Sequence, residues 1–535
     1  MRPHALLSPI ALICAICMLV SAAPAPRSYV NPVLYADYSD PDVIRVGDDY
    51  YLVASSFHFS PGIPVLQSKD LVHWRIIGHV LARLPFAPQY DMPGPFALTD
   101  NTSRPVDGTR YASGVWAPCI RHHDNLFYVY WPTPDEGVFM SRASDPAGPW
   151  SEPVAVIAQR GLEDPCPFWD DDGQAWLVHS RVGAGPLILH RMSADGTRVL
   201  DDGVTIVEDR EALPVLEGPK LYKRDGWYYI WAPIGGVGSG PEVVLRSRAI
   251  EGPYEHRVVL RPNASVAGPH QGGYVETPSG QGWFVHFNQT GAFGRIVYLE
   301  PVQWRDDGWP VVGEHGADDE AGEPVSAYPA PEAPRHAPNW RLQESDEFST
   351  PRLGLQWSWN HNPDNAAWSL RQRPGFLRLT AGQAEHLVTA RNTLTQILQG
   401  PRMRMTARLD VAGMQNGQRG GLAMFGVRPS WIGVVRDGGR NRITLASAGV
   451  ETPGAELSAR TVDVRVDVGP EQTARYSYSL DGGRTFEAFG DAIPLANFSW
   501  WKGSRPALFS FTRAGAGPRG WIDVDWVRVE HPEAR

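Results

Sequence analysis

The stretch EDPCPFWDDDGQAWLV, from Glu163 to Val178, decides the fold of this 535-residue chain. It has an acidic start before Pro, an apolar run, a turn rich in Asp and Gly, and a second apolar run that includes Trp176. Two apolar runs of strand length around such a turn are typical of a β-hairpin. The stretch therefore predicts a hairpin whose first strand begins beside a carboxylate.

Four other segments of the chain repeat this pattern. They are SDPDVIRVGDDYYLVASS from Ser39, VWAPCIRHHDNLFYVYWP from Val115, EGPKLYKRDGWYYIWAP from Glu217 and QGGYVETPSGQGWFVHFN from Gln271. The repeat spacing is mostly about fifty residues, with one longer gap after the first unit, which is the range of propeller blades. Five hairpins of this kind predict a five-bladed β-propeller.

The composition of the chain changes after the last repeat. We expect the propeller to occupy residues 27–312, and the Pro/Ala/Glu-rich residues 313–338 to form an exposed linker. From residue 339 to residue 535 short alternating strands follow without a long helical period. This region predicts a β-sandwich of jelly-roll type. The predicted fold class is therefore all-β, a five-bladed β-propeller followed by a β-sandwich.

The N-terminus has the pattern of a secretory signal. A short basic start precedes an apolar stretch from Ile10 to Val20, and small residues follow up to Ala23. Residues 1–23 are therefore predicted to be a signal peptide, and we expect a periplasmic or secreted protein. The apolar stretch is too short for a stable membrane span. Cys119 and Cys166 would remain in the mature chain, where their pairing is left open.

The overall composition excludes several classes of function. The chain is 42% hydrophobic and 20% charged, which argues against disorder. Its net charge of -10 is spread without a basic run, which argues against nucleic-acid binding. The 20 tryptophans exceed what cores of this size need, and such a surplus often accompanies sugar-stacking surfaces.

Three acidic residues occupy equivalent positions at the starts of inner strands. They are Asp40, Asp164 and Glu217, and the propeller should bring them to one mouth of its central channel. Glycosidic bond hydrolysis needs one carboxyl as proton donor and another as base or nucleophile. A third nearby charge can keep the donor protonated. The three acids therefore predict a glycoside hydrolase.

The sequence resembles glycoside hydrolase family 43, and within it the β-xylosidases with a C-terminal lectin-like sandwich. The resemblance lies in NPVLYADYSDPDVIRVGDDYYLVASSF, VWAPCIRHHDNLFYVYW, EDPCPFWDDDG, EGPKLYKRDGWYY, HQGGYVETPSGQGWFVHF and GAFGR, and it covers nearly the whole mature chain. It implies that Asp40 is the general base that activates water and that Glu217 is the general acid. Asp164 would orient Glu217 and keep its pKa high. The family inverts the anomeric carbon, so the base and acid should stand about 6.5–9.5 Å apart.

The resemblance also implies residues that contact the sugar. They are Phe57, Trp116, His286 and Arg295. No cofactor is required, and whether a structural calcium ion lies near His286 is left open. Cys119 and Cys166 depart from the family pattern, which usually has Asp after WAP and a small hydroxyl residue after DP. These departures affect local hydrogen bonding and leave the three acids in place.

The expected reaction is exo-acting release of xylose from the non-reducing ends of β-1,4-xylo-oligosaccharides, including fragments derived from arabinoxylan. An α-L-arabinofuranosidase or a bifunctional enzyme is compatible with the same acids. A non-catalytic carbohydrate-binding propeller is a more remote hypothesis, because such a protein usually lacks one of the acids. No nucleic-acid partner is expected, and no membrane association after removal of the signal. A homo-oligomer is left open.

Overall fold

The computed structural model describes residues 27–86, 88–94, 96–98, 106–317, 319–496, 499–513 and 519–533. The predicted signal peptide lies outside these ranges. The described secondary structure is nearly all strand, with 3-10 helices at Pro88–Asp91, Gly291–Phe293 and Leu387–Thr389. The all-β prediction is therefore confirmed. None of the helices in these ranges is long and apolar enough to cross a membrane.

Five antiparallel four-stranded sheets follow one another along the chain and form the predicted five-bladed propeller. Each repeat found in the sequence supplies the two inner strands of one blade. From the inner to the outer strand, the blades are Asp42–Val46, Asp49–Val53, Gly62–Ser68 and Trp74–Leu81 (blade 1); Cys119–His123, Leu126–Thr133, Gly137–Ala143 and Val154–Ile157 (blade 2); Leu162–Trp169, Ala175–Arg181, Leu187–Met192 and Val204–Val207 (blade 3); Lys220–Arg224, Trp227–Pro233, Glu242–Ser247 and Glu255–Leu260 (blade 4); His270–Glu276, Gly282–Gln289, Arg295–Trp304 and Pro310–Val312 (blade 5).

Tight turns set the register of the inner hairpins. In blade 2 the turn residues Asp124 and Asn125 have φ of 48° and 61°, and in blade 4 Asp225 and Gly226 have φ of 50° and 74°. Two successive positive φ values match the twist of paired strands, and Asn, Asp and Gly adopt them at low cost. The turn chemistry read from the sequence therefore fixes where each inner strand begins.

Aromatic side chains fill the space between neighbouring blades. Between blades 1 and 2, Val53, Val129 and Trp131 belong to one buried cluster, and Trp131 has no exposed surface. Trp231 is buried in the same way against Phe284 of blade 5. Each large ring removes about 150–250 Å² from water, so these contacts dominate the packing of the blades. The rigid ring of blades holds the strand starts in place around the channel.

Two sheets, in which nearly all neighbouring strands are antiparallel, form the second domain and enclose a core rich in Val, Leu and Met. The first sheet contains Val450–Glu456, Arg440–Ser447, Ser430–Asp437, Gln418–Phe425, Arg505–Thr512, Leu394–Thr395, Ser358–Asn360 and Phe59–Ser60, with Gly382–Gln383 added in parallel to Arg505–Thr512. The second contains Trp368–Ser369, Leu377–Thr380, Trp521–Glu530, Met403–Asp410, Thr461–Val468, Thr473–Ser479, Glu487–Ala488 and Ile493–Pro494. This is the predicted β-sandwich.

The two domains share a sheet. Phe59–Ser60 lies in the connection between the second and third strands of blade 1 and pairs with Ser358–Asn360. A segment of the propeller therefore forms the edge of the first sandwich sheet. In the connection between blades 1 and 2, Ala97–Leu98 pairs with Val106–Asp107. The shared strand brings the sandwich against the propeller beside blade 1.

The stretch 313–338 differs from the exposed linker that we expected. Ala327–Pro329 pairs with Ser28–Val30 at the start of the propeller, and the Val325 side chain is buried in the core that also holds Tyr29. Pairing satisfies the backbone groups of both segments, and burial of Val325 stabilises the contact. Part of this stretch therefore packs on the propeller instead of connecting the two domains loosely.

Candidate active site

The inner strands of blades 1, 3 and 4 carry acidic residues at the same end. Asp40 lies just before Asp42–Val46, Asp164 lies in Leu162–Trp169, and Glu217 lies just before Lys220–Arg224. The φ angles of Asp40 and Asp164 are 52° and 55°, in the left-handed region that favours Gly, Asn and Asp. This conformation bends the chain at the strand start, which is where the sequence predicted that the three carboxylates converge.

Asp40 is buried and held by two side chains. Ser55 Oγ donates to Asp40 Oδ2 at 2.5 Å, and Arg295 Nη1 donates to Asp40 Oδ1 at 2.5 Å. Arg295 is itself buried, so both charges of this pair are shielded from water. Charge-assisted hydrogen bonds of this length are strong and directional. Asp40 is therefore fixed in orientation, and the predicted sugar-binding residue Arg295 reaches the site.

Asp164 accepts three hydrogen bonds. The donors are Ser180 Oγ at 3.0 Å, the backbone N–H of Gly218 at 2.8 Å and Gln271 Nε2 at 3.1 Å. Burial raises the pKa of Asp164, and the negative charge of Glu217 raises it further. The bond to Gly218 ties Asp164 to the residue that follows Glu217. Asp164 is thus placed to orient the loop that carries Glu217.

Glu217 is the more accessible of these acids. Its side chain is 20% exposed, and its Oε1 lies 3.0 Å from Nε2 of the buried His270. His270 begins the inner strand of blade 5 and was missed by the sequence reasoning, although it directly precedes the fifth repeat. The exposed edge of the carboxyl leaves Glu217 able to reach a substrate oxygen.

Glu163 is a fourth carboxyl in the same cluster, and the sequence reasoning also missed it. One carboxylate oxygen from each of Glu163, Asp164 and Glu217 lies within 4.8 Å of the other two. A regular strand would place consecutive side chains on opposite faces. Here the ladder of blade 3 is irregular between Glu163 and Cys166, and the positive φ of Asp164 brings both side chains to the site.

Aromatic rings from both domains line the site. Phe57, which is 2% exposed, contacts Trp116 edge-on with ring centres 6.3 Å apart. Trp116 in turn meets Trp501 of the sandwich at 6.0 Å, and Trp501 is 38% exposed. The Arg295 guanidinium lies 6.0 Å from the Trp501 ring. The sequence predicted Phe57 and Trp116 but gave no signal for which sandwich aromatic reaches the propeller.

Lys502 follows Trp501 and enters the propeller. Its Nζ donates to the backbone oxygen of Asp37 at 3.2 Å and lies 3.6 Å from Asp37 Oδ2. Burial lowers the pKa of Lys502 to about 8, although the Asp37 carboxylate opposes this shift. The ammonium group anchors the sandwich loop behind the chain segment that carries Asp40.

The structure does not bring His286 to this site, which corrects the sequence-based expectation. His286 is fully buried on the second strand of blade 5, where Nδ1 is 3.1 Å from the Phe287 oxygen and Nε2 is 3.4 Å from Glu300 Oε1. Both ring nitrogens therefore have protein partners, and the surroundings do not fit the calcium site left open near it.

Cys119 and Cys166 are free, buried thiols on the inner strands of blades 2 and 3. Cys166 Sγ accepts from Arg121 Nη2 at 3.0 Å and from the backbone N–H of Leu221 at 3.2 Å. Burial opposes ionisation, but the hydrogen bond from the Cys119 thiol and the charge of Arg121 lower the pKa of Cys166 to about 6. These contacts favour the thiolate form of Cys166, which lies two residues from Asp164 in the sequence.

Comparison with known proteins adds an independent finding. The model of the family described as "Glycosyl hydrolases family 43" matches residues 29–310, and that of "Beta xylosidase C-terminal Concanavalin A-like domain" matches residues 345–530. The chain is 42% identical over 480 residues to a putative beta-xylosidase of Xylanibacter ruminicola, covering 89% of this chain and 85% of that one. It is 34% identical over 562 residues to a beta-xylosidase of Formosa agariphila, covering 94% and 90%.

Among solved structures, the fold is similar to that of an engineered GH43 glycoside hydrolase, with a TM-score of 0.82 and 29% identity over 95% of this chain and 100% of that one. The engineered protein is described as displaying both endo-xylanase and exo-arabinofuranosidase activity. The similarity spans the propeller and the sandwich together.

Proposed function

This chain belongs to glycosyl hydrolases family 43 and is a glycoside hydrolase, and from this premise we propose that it releases xylose from the non-reducing ends of β-1,4-xylo-oligosaccharides with inversion. The observation that carries the proposal is the meeting of Asp164 and Glu217 at the mouth where Arg295 holds Asp40. Beta-xylosidases at 42% and 34% identity support xylose as the sugar released.

In the proposed mechanism Asp40 is the general base. It would take a proton from a water molecule as that water attacks the anomeric carbon, and the bonds from Ser55 and Arg295 would keep its carboxylate aimed at the water. Arg295 would also donate to sugar hydroxyls through guanidinium protons not directed at Asp40. Asp40 and Arg295 would thus act on the same sugar ring.

Glu217 is the proposed general acid. Its exposed oxygen would protonate the leaving glycosidic oxygen as the bond breaks, so the sugar departs as a neutral alcohol. Asp164 would hold the Glu217 loop in place through its bond to the backbone of Gly218. In each turnover Glu217 loses a proton and Asp40 gains one. Before the next turnover Glu217 must therefore regain a proton from solvent, and Asp40 must release its proton to solvent.

An exo mode of action is proposed from the aromatic wall. Trp116 and the sandwich residue Trp501 stand next to each other across the domain boundary, which would block extension of a xylan chain on that side. A pocket closed in this way would accept chain ends. Rapid random cleavage of long xylan would contradict the proposal.

The experiment that tests the reaction is a proton NMR time course of the purified protein with xylobiose. Early α-xylose is expected, because inversion of a β-linkage gives the α-anomer. Early β-xylose would mean retention and would overturn the roles given to Asp40 and Glu217.

A second candidate activity is the release of α-L-arabinofuranose. The structural likeness to a GH43 enzyme described as having exo-arabinofuranosidase activity favours it over a purely sugar-binding role. The same acids could serve both sugars, since both reactions need a base and a proton donor. Release of arabinose without any release of xylose would identify this activity. Binding of sugar without any hydrolysis would identify a non-catalytic propeller.

We also propose that the protein is exported. Support comes from the signal pattern of residues 1–23. Fractionation of the source cells should place the protein outside the cytoplasm, with an N-terminus at Pro24. An intact Met1 on cytoplasmic protein would contradict export.

A further inference from the structure

Glu163 adds a carboxyl that the proposed mechanism does not use. Its side chain is buried, with 5% of the residue exposed, and one of its carboxyl oxygens lies within 4.8 Å of oxygens on Asp164 and Glu217. The backbone irregularity at Asp164 turns it towards the site. A buried carboxyl beside two others needs a physical explanation, because like charges at this distance strongly disfavour full ionisation.

The hydrogen-bond partners differ sharply among these acids. Asp164 accepts three hydrogen bonds, from Ser180, Gly218 and Gln271. Glu163 accepts one from the backbone N–H of Ala184, at 3.3 Å. In the part of the chain that the structure describes, no cationic side chain lies at ion-pair distance from Glu163, whereas Arg295 pairs with Asp40.

These surroundings favour a proton on Glu163. Burial raises the pKa of Glu163 to about 10, and the charges of Asp164 and Glu217 act in the same direction. A buried carboxylate with one long backbone hydrogen bond is poorly stabilised. A protonated carboxyl, by contrast, has a hydroxyl that can donate to a neighbouring carboxylate.

We infer that Glu163 is a positioning residue that remains a neutral carboxylic acid during the reaction and holds the Asp164–Glu217 pair in its working geometry by donating a hydrogen bond to it. This inference rests on the proposed function, since it assigns Glu163 a role through the general acid. Glu163 itself does not transfer a proton to the substrate. Its neutral form also spares the site a further negative charge next to Glu217.

The test compares Glu163→Gln and Glu163→Leu on two substrates, xylobiose and a dinitrophenyl β-xyloside. The dinitrophenolate leaves without protonation, so its release does not depend on the general acid. Glu163→Leu removes the donor, and misplacement of a catalytic group costs roughly 100-fold. We therefore expect about that loss of kcat/KM on xylobiose and less than about 5-fold on the aryl xyloside.

Glu163→Gln keeps the shape and an N–H donor without a titrating proton. It should retain kcat/KM within about 5-fold on both substrates and leave the pH profile unchanged, since a neutral group contributes no ionisation. Infrared difference spectra of the wild type minus this variant at neutral pH should show the carbonyl stretch of one additional protonated carboxylic acid in the wild type, beyond that of the general acid Glu217. Glu152→Gln, at an exposed position, is the matched control.

Three outcomes would overturn the inference. The first is an equal loss on both substrates for Glu163→Leu, which would mean general damage to the fold. The second is a loss for Glu163→Gln as large as that for Glu163→Leu, which would mean that Glu163 transfers a proton. The third is an infrared difference spectrum in which the wild type shows no additional protonated carboxyl over Glu163→Gln, which decides the matter even if the Leu variant does not fold. Wild-type hydrolysis of xylobiose is a separate result, so failure of the proposed function is recognised independently.

Discussion

The ring of Trp501, in the sandwich, lies 6.0 Å centre to centre from the ring of Trp116, in the propeller, at an interplanar angle of 72°. The two residues are far apart in sequence and belong to different domains. Trp501 is held there by its neighbour Lys502, whose ammonium group is buried against Asp37. One wall of the candidate active site is therefore built by the second domain.

The first prediction concerns this wall. Trp501→Ala should lower kcat/KM on xylobiose roughly 10-fold, equivalent to about 1.4 kcal/mol of lost contact. Most of the effect should appear in KM, because we expect the ring to contact the bound sugar away from the reacting atoms. Steady-state kinetics measure it, with Trp340→Ala as the control, since Trp340 packs on Arg75. Unchanged kinetics would remove Trp501 from the site.

The second prediction concerns the general base. Asp40→Asn should lower kcat roughly 100- to 10,000-fold, the range in which general base catalysis contributes. Asn keeps the shape and tolerates a positive φ, but the melting temperature of the variant should fall by several degrees because Arg295 loses its buried carboxylate partner. Asp48→Asn, in an exposed hairpin turn of the same blade, should change neither. Full activity of Asp40→Asn would exclude Asp40 as the base.

The third prediction is a pH dependence of stability. Burial raises the pKa of Glu163 from 4.5 to about 10, so the folded protein binds this proton over a range where the unfolded chain has lost it. Stability from Glu163 is then fully present below pH 4.5 and is lost as the pH rises towards 10. The Gln side chain of Glu163→Gln does not titrate. The melting temperature of this variant minus that of the wild type should therefore rise by at least about 2 °C between pH 5 and pH 9.

Calorimetry or fluorescence melting over this pH range checks the third prediction. Glu152→Gln should show no such trend, because this side chain is exposed. A constant difference between wild type and Glu163→Gln at all pH values would mean that Glu163 titrates normally.

The fourth prediction concerns Cys166. Its pKa of about 6 should give one thiolate per chain, seen as ultraviolet thiolate absorbance that rises as the pH passes about 6. Cys166→Ser should abolish this rise. Cys119→Ser should keep it, because the serine hydroxyl can replace the Cys119 thiol as donor. A rise near the ordinary thiol value of about 8.5 in the wild type would contradict the prediction.

The propeller could be predicted from sequence because its determinants are local. Each inner hairpin carries its own turn residues and its own apolar runs, and five copies at similar spacing identify the blades. The positions of Asp40, Asp164 and Glu217 followed from the same repeat, since equivalent strand starts meet at one mouth. Long-range contacts were not needed for these inferences.

The parts that escaped prediction depend on contacts between distant segments. Trp501 and Lys502 reach the site only through the docking of the sandwich on the propeller, and no local pattern specifies that. Glu163 was hidden because strand alternation assigns it to the opposite face from Asp164, and the irregular backbone overrides this rule. The sequence predicted His286 to contact the sugar, whereas in the structure it lies on the second strand of blade 5 and packs against Glu300.

The left-handed backbone at Asp40 and Asp164 has a consequence for laboratory evolution of this protein. Most side chains cost roughly 1 kcal/mol more than glycine in this conformation, and Asp costs less than most. Glycine would relax the backbone, but it would leave Arg295 without its buried partner and the three donors to Asp164 without an acceptor, which costs more. A library screened for heat resistance alone should therefore retain both aspartates, so their retention would not by itself show that a screen has rewarded turnover.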